Sequence, residues 1–284
     1  MDKQERQSYL YIPMNDVVME IVEGIGKLMY EPMFITNSAL KGVKAYTRNN
    51  SEVFIVARNF DKSLSPQDIQ RIVRPSTLLA FIYILACWQE QKNDVIDLNV
   101  KKYFQLKGVR RRKENVDRFL DDLKLLAAME VSVHGKVRRK TYTLSGELIT
   151  LETKKRKVQV KLGLWSSRLD PNKVTMVHPS LFNKYSKHQM YVVMLSLKFA
   201  QLCKVNRKRG DMHAVKMNTL LQFIGIRHEH MSKRGYRYYL KLLSSAFAYL
   251  QQAEGYTIKI SPIGSADDFV NARVEYKRSL LLPT

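Results

Sequence analysis

Blocks of apolar and polar positions predict an order of helices and strands along the chain. Residues 76–88 are almost continuously apolar, over a length too great for a buried strand, and predict a buried helix. A short helix is predicted over 98–108, because Asn99 can cap its start and Gly108 can end it. The following apolar positions recur at i, i+3, i+4, i+7 and i+10, as on one face of an amphipathic helix: Val116, Phe119, Leu120, Leu123 and Leu126.

Alternating positions predict strands after this helix. Residues 130–134 and 141–144 alternate around Gly135 and predict a β-hairpin. Residues 157–162 predict a further strand, and 165–179, with two prolines, predict a linker.

The same order of elements returns in the second half of the chain. An apolar helix is predicted over 189–202, and a short helix over 217–225, with Asn218 and Gly225 in the places of Asn99 and Gly108. The next helical stripe consists of Tyr236, Tyr239, Leu240, Leu243, Phe247 and Leu250. Two strands are predicted over 255–260 and 272–276, joined by a loop that holds Pro262, Gly264, Asp267 and Asp268.

This repeated order predicts the fold class. A helix, a short helix, a long helix and a hairpin follow one another in a winged helix-turn-helix, whose third helix can enter a major groove. We therefore predict an α+β protein of two tandem winged-helix domains, residues 61–165 and 166–284, after an N-terminal extension of residues 1–60. In and after the extension, a helix over 16–29, a strand over 52–60 and a helix start at Ser65–Pro66 are predicted. The role left for the extension is dimerisation or contact with a partner.

The charge of the chain lies almost wholly in these two repeats. Lys and Arg number 48 against 26 Asp and Glu, a net charge of +22. Residues 1–60 carry seven basic and seven acidic side chains, 61–99 four and five, 100–165 eighteen and seven, and 166–284 nineteen and seven. Two comparable basic halves indicate two polyanion-binding modules, with nucleic acid the first partner to consider and anionic membrane the second.

Composition excludes several other classes. A hydrophobic content of 45% excludes wholesale disorder, and two cysteines, Cys87 and Cys203, exclude a disulfide scaffold or a Cys-rich zinc site. Both thiols fall on apolar helices and are expected to be buried. No apolar run reaches the length of a membrane span, and the polar N-terminus lacks a signal-peptide core. We expect a soluble, cytoplasmic protein.

Cations cluster at the start of each predicted long helix and at the loops. In the first repeat Arg and Asn suit base edges, and helix N-termini also accept phosphate; the DNA-binding candidates are Arg110, Arg111, Arg112, Lys113, Asn115 and Arg118. Asp117, Asp121 and Asp122 interrupt this helix and are expected to face away, toward a neighbouring module or partner. In the second repeat, which has no acid from Lys233 to Tyr249, the candidates are Ser232, Lys233, Arg234, Arg237, Tyr238 and Lys241.

The basic loops suit phosphate contacts, which raise affinity without reading sequence. The candidates are Lys136, Arg138, Arg139 and Lys140 at the first hairpin tip, and Arg207, Lys208 and Arg209 between helices of the second repeat. Lys154, Lys155, Arg156 and Lys157 join two further strands.

Enzyme signatures are weak. His228 and His230 are the one close histidine pair, and a nicking nuclease would add a tyrosine such as Tyr238 or Tyr239; however, Glu229 stands where a hydrophobic residue is expected, and no strand pattern surrounds the pair. A phosphate-binding loop, G-x-S-x-G and H-E-x-x-H are missing from the sequence. We expect neither an enzyme nor a bound metal or cofactor.

Over roughly residues 61–280 the chain resembles the theta-type plasmid replication initiators. The resemblance rests on the duplicated order, on residues 157–162 followed by Val177–Phe182, and on Ser232–Leu240 followed by its apolar stripe. It implies two tandem winged helices, sequence-specific binding to directly repeated sites in duplex DNA, melting of adjacent DNA, recruitment of host replication proteins, and repression of the chain's own promoter as a homodimer. A transcriptional repressor, a partition protein, a DNA-nicking nuclease and an RNA-binding protein remain as alternatives.

Overall fold

Apolar segments of the sequence form helices close to the predicted bounds. The computed structural model describes residues 9–30, 42–46, 52–57, 73–137, 140–154, 157–183, 189–205, 212–226 and 235–278. The chain is of mixed α+β type with small sheets. It divides into unit 1, Met1–Lys184, and unit 2, Tyr185–Thr284, whereas the sequence pattern predicts a division after residue 165.

Unit 1 holds the larger number of described elements. They are β1 (Leu10–Pro13), α1 (Asp16–Tyr30), β2 (Gly42–Tyr46), β3 (Glu52–Ala57), α2 (Pro75–Gln91), β4 (Val95–Asp97), α3 (Val100–Leu106), α4 (Lys113–Ala127), β5 (Met129–Val137), β6 (Lys140–Glu147), β7 (Ile149–Lys154), β8 (Lys157–Leu162), a 3₁₀ turn (Leu164–Arg168), β9 (Val174–Val177) and α5 (Ser180–Asn183).

Unit 2 repeats part of this order. Its described elements are α6 (Gln189–Val205), β10 (His213–Lys216), α7 (Met217–Phe223), α8 (Gly235–Glu254), β11 (Tyr256–Ile260), α9 (Ala266–Asn271) and β12 (Arg273–Arg278). Helix α9 forms within the segment that was predicted as a loop, and it begins where the Ser265 side chain accepts a hydrogen bond from the backbone of Asp268.

The internal repeat is visible in the strand order. In unit 1, β4, β8 and β7 form a sheet in that order; in unit 2, β10, β12 and β11 do so. In both, a strand between the first and second helix takes one edge, and the last strand lies in the middle. The two repeats are therefore α2–β4–α3–α4–β7–β8 and α6–β10–α7–α8–β11–β12.

This strand order corrects the prediction that the hairpin of residues 130–144 in unit 1 corresponds to the two strands of residues 255–276 in unit 2. Residues 130–134 and 141–144 do form a hairpin, but β5 also pairs with β3, and the sheet order is β2–β3–β5–β6. The strands that match β11 and β12 are β7 and β8. The β5–β6 hairpin is thus an insertion that extends a sheet begun near the N-terminus, because the free edge of β5 bonds to β3.

The segment predicted as a linker is structured. Trp165 is buried, and its Nε1 donates to the carbonyl of Leu148 at 2.8 Å. Strand β9 pairs antiparallel with β1, from Leu10 opposite Val177 to Pro13 opposite Val174. Residues 164–177 therefore belong to unit 1.

The predicted N-terminal helix is present and buried. Asn15 caps α1 by accepting from the backbone N–H of Val18 at 2.8 Å, and most of residues 17–28 are buried. The predicted strand at 52–60 is described as Glu52–Ala57. The predicted helix start at Ser65–Pro66 lies outside the described residues.

The two short helices end alike but begin differently. Asn99 caps α3 as predicted, because its side chain accepts from the N–H of Lys102 at 3.0 Å. The predicted cap at Asn218 is wrong, since Asn218 lies inside α7 and Lys216 occupies the cap position. Gly108 and Gly225 both follow their helices with positive φ, 62° and 78°, which L side chains rarely adopt.

Candidate nucleic-acid interface

A tight turn presents the basic run of unit 1. After Gly108 the N–H of Val109 returns to the carbonyl of Phe104 at 3.1 Å, which closes the end of α3. Arg112 then takes an extended conformation at the cap position of α4. The exposed side chains in this run are Arg110, Arg111, Arg112 and Lys113.

Asn115 holds this turn in place. Its Nδ2 donates to the carbonyl of Arg110 at 2.8 Å, and the residue is half-buried. The hydrogen bond ties the basic run to the first turn of α4. Asn115, which was predicted to contact a DNA base, therefore makes a hydrogen bond within the protein.

Acidic side chains occupy the exposed face of α4. Glu114, Asp117 and Asp121 are all exposed and fall at i, i+3 and i+7, which places them in one stripe along the helix. Arg118 is also exposed, and Lys124 pairs with Asp121 at 3.2 Å. This face is unfavourable for contact with a phosphate backbone.

Asp122, expected to face away from the unit, is buried in it. Its Oδ1 accepts from the hydroxyl of Thr77 at 2.9 Å and lies 3.6 Å from the guanidinium of Arg74. Burial, the largest influence, raises the pKa of the Asp122 carboxyl, while hydrogen bonds from Ser76 and Thr77 oppose the shift. The periodicity contained this signal, because Phe119, Asp122 and Leu126 share one face of α4.

The candidate loops of unit 1 lie on different sheets. Lys136 and Lys140 are placed by their backbone in β5 and β6, and Arg138 and Arg139 lie outside the described residues. On the sheet of the repeat, Lys154 of β7 pairs with Lys157 of β8, and Lys155 and Arg156 lie outside the described residues. Lys157 is exposed.

The long helix of unit 2 has a different exposed face. Arg237, Tyr238 and Lys241 lie on its solvent side, followed by small and polar residues: Ser244, Ser245, Ala248, Gln251 and Gln252. Tyr238 is 53% exposed, and its ring meets that of Tyr239 edge-on at 5.3 Å. Glu254, the sole acid of this helix, is buried. The helix therefore presents cations at its start and no exposed carboxylate.

The loop between β11 and β12 supports the start of α8. Phe269 of α9 is fully buried and lies 6.2 Å, ring to ring, from Tyr236. The Tyr236 hydroxyl donates to the carbonyl of Gly264 at 3.5 Å. Tyr236 is thus a core residue, as predicted, and Asp267 and Asp268 are exposed on the same loop.

Several candidate residues lie outside the described part of unit 2. They are Arg207, Lys208, Arg209, Ser232, Lys233 and Arg234, together with the histidine pair, His228 and His230, and Glu229 between them. Within the described ranges, no three His, Cys, Asp or Glu side chains are grouped to share a metal ion. None of the described helices is both long enough and apolar enough to cross a membrane.

The two cysteines lie in the apolar helices of the repeats. Cys87 is buried in α2 and Cys203 is half-buried in α6, and both thiols are free. Burial raises the pKa of each to about 11, which keeps them protonated and weakly reactive at neutral pH.

Similarity to known proteins is structural. No protein-family model matches the chain, and no curated protein matches its sequence. A crystal structure of domains 2 and 3 of RctB superposes with a TM-score of 0.51 and 10% identity, over 90% of this chain and 99% of that one. A second crystal structure of RctB domains 2–3 gives a TM-score of 0.44 and 8% identity, over 89% and 96% of the two chains. At this identity the first likeness shows a shared fold.

Proposed function

We propose that each repeat is a winged helix and that the chain binds specific duplex DNA to initiate replication of a plasmid or other mobile element. The order of elements supports this proposal, because in each repeat a long third helix is followed by the last two strands of a three-stranded sheet. The chain would bind repeated origin sites and recruit host replication proteins, with homodimers as a further form.

The observation that carries this proposal is the exposed face of α8. Arg237 and Lys241 are one helical turn apart, and Tyr238 lies beside them. The small side chains beyond, such as Ser244 and Ala248, let a helix approach base edges closely. Cations at the start of such a helix suit guanine edges and phosphates.

Two further facts support the proposal. Residues 61–165 and 166–284 together carry the net charge of +22, which suits two DNA-binding modules. The shared fold is that of domains from RctB, a replication initiator. A repressor would use the same DNA-binding face, so the arrangement of the bound sites separates the two roles.

Selection of bound duplexes from a random pool tests the proposal. We expect an enriched motif, whose direct repetition beside an AT-rich tract indicates an origin; a single inverted repeat would indicate a repressor instead. Failure to enrich any duplex motif, or a preference for RNA, would contradict the proposal. We also expect no cleavage of supercoiled DNA with Mg²⁺, and cleavage abolished by Tyr238→Phe would contradict that expectation.

Binding measurements then test the assigned face. Lys241→Ala should weaken binding to the selected duplex, whereas Lys173→Ala should not, because Lys173 is an exposed lysine on a turn of unit 1 beside Asp170. Both variants remove one positive charge. Equal weakening in the two would indicate that only total charge matters.

A further inference from the structure

Each long helix carries one buried carboxylate on its apolar stripe. Asp122 of α4 is 1% exposed and Glu254 of α8 is 5% exposed. Glu254 follows Phe247 by seven residues and Leu250 by four, so it belongs to the face that packs on the core. Apolar packing alone does not require an acid at either position.

In unit 2 the carboxylate joins three elements. The Ser196 hydroxyl of α6 donates a short hydrogen bond to Oε1 of Glu254, and the Arg278 guanidinium of β12 lies 3.6 Å from Oε2. That guanidinium also lies 5.0 Å from the ring centroid of Tyr256. We call Ser196, Glu254 and Arg278 the unit 2 clamp.

Unit 1 has a corresponding arrangement. The Thr77 hydroxyl of α2 donates to Asp122, and Arg74, at the cap position of α2, supplies the guanidinium. The partners follow one rule in both repeats: a carboxylate on the long helix, a hydroxyl on the apolar helix and an arginine. We call Thr77, Asp122 and Arg74 the unit 1 clamp.

The physical role of such a clamp is to fix the orientation of the long helix. Buried ion pairs are weak contributors to stability, because desolvation offsets their attraction, and apolar replacements are often neutral or stabilising. The hydrophobic effect is non-directional, whereas a hydrogen bond holds its donor and acceptor within a narrow range of distance and angle. A turn of about 20° moves a side-chain tip by about 2 Å at the helix surface, which is enough to break a hydrogen bond.

We propose that the unit 2 clamp positions α8, fixing its rotation so that Arg237, Tyr238 and Lys241 meet base edges. Ser196, Glu254 and Arg278 are then positioning residues that act on sequence preference without touching DNA. This inference rests on the proposed DNA-binding function.

The test replaces the whole clamp in the full chain. Ser196→Ala, Glu254→Leu and Arg278→Met together remove all three polar partners and leave no unpaired buried charge. We expect the melting temperature to stay the same or rise, and the ratio of affinities for the selected and a scrambled duplex to fall at least about tenfold, the cost of one base contact. The slope of log affinity against log salt should not change, because the phosphate contacts remain.

The unit 1 clamp supplies the matched control. Arg74→Met, Thr77→Val and Asp122→Leu together make the same kind of replacement behind α4, whose exposed stripe is acidic, and should leave sequence preference within about twofold. A stable unit 2 variant with the wild-type ratio would overturn the inference, and so would an equal fall of the ratio in both variants.

Two additional measurements cover other outcomes. If the triple variant does not fold, Glu254→Gln keeps the shape and the Ser196 hydrogen bond but removes the charge, and Ser196→Ala removes the hydrogen bond alone. We expect Ser196→Ala to lower the ratio more than Glu254→Gln does, and no change in either would overturn the inference. If the wild-type protein prefers no duplex sequence, the proposed function fails. Amide NMR of α8 in the folded triple variant then tests the clamp separately. Signals from several conformations would support a positioning role, and a single set of signals would contradict it.

Discussion

The two repeats distribute charge differently over the same two elements. In unit 1 the exposed face of α4 carries the stripe of Glu114, Asp117 and Asp121, while the turn between β7 and β8 lies in a basic run. In unit 2 the face of α8 begins with cations, while the loop between β11 and β12 exposes Asp267 and Asp268. The same scaffold therefore offers phosphate attraction from the strand turn in one repeat and from the helix in the other.

The comparison shows which properties a duplicated fold retains. Both repeats keep the strand order and the glycine after the short helix, which the fold of each unit requires, and each has one buried carboxylate on its long helix. Surface charge is free to differ, because an exposed side chain contributes little to stability. On this basis we expect α8 to determine sequence preference and unit 1 to contribute mainly to overall affinity.

The largest expected effect comes from removing the cations of α8. Arg237→Ala with Lys241→Ala should lower the preference for the selected duplex at least about tenfold. The matched pair on α4, Lys113→Ala with Arg118→Ala, should lower affinity for selected and scrambled duplexes alike. Fluorescence anisotropy with both duplexes measures this, and a change of preference from the α4 pair would break the comparison.

The basic turn before α4 should act through phosphates. Replacing Arg110, Arg111 and Arg112 by Ala should reduce the slope of log affinity against log salt by about 0.9 for each phosphate that is no longer neutralised, with the selected motif unchanged. Titrations between about 50 and 200 mM salt give the slope. An unchanged slope would show that these three side chains do not reach DNA.

Neutralising the acidic stripe should have a smaller effect of opposite sign. Glu114→Gln, Asp117→Asn and Asp121→Asn together should raise affinity for any duplex a few-fold, because they remove repulsion from phosphate. The control is Asp94→Asn, at an exposed acid outside the helices. A new sequence preference in the triple variant would mean that α4 does enter a groove.

Unit 1 also contains a buried carboxylate, Glu20, that is not part of a clamp and can be compared with Asp122. Glu20 of α1 is 2% exposed, and neither of its oxygens has a hydrogen-bond partner in the described part of the chain. Burial, with Asp16 and Glu23 adding to it, raises the pKa of Glu20 to about 9. The folded protein favours the neutral form of the Glu20 carboxyl. The contribution of this group to the free energy of unfolding is therefore fully present below about pH 4.5 and is lost as the pH rises through about 9.

Thermal unfolding across pH tests this difference. Between about pH 5 and 8.5, the melting temperature of the wild-type protein should fall by at least about 2 °C more than that of the Glu20→Gln variant. Parallel curves for the two proteins would show that the pKa of Glu20 in the folded protein lies close to its value in the unfolded chain.

Much of the local structure followed from periodicity and end signals. The helices at 76–88, 189–202 and around Leu243, the Asn99 cap and the hairpin near Gly135 all form as predicted. Exposure of Arg237 and Lys241 followed from the same stripe, because residues off the apolar face point to solvent. The internal repeat was also readable, since its signal is the order of elements rather than their identity.

Strand partners and buried polar contacts depended on tertiary structure. The sequence could not show that β3 takes the edge of the β5–β6 hairpin, or that residues 174–177 pair with residues 10–13, because these hydrogen bonds join segments far apart in the chain. Asp122 was predicted to face a neighbouring module or partner, and only packing supplied Thr77, Ser196 and the arginines that make the burial of Asp122 and Glu254 tolerable. The sequence by itself determined the helices, the repeat and the net charge, which are local or additive properties; the tertiary structure decided the sheets, the clamps and which charges share a face.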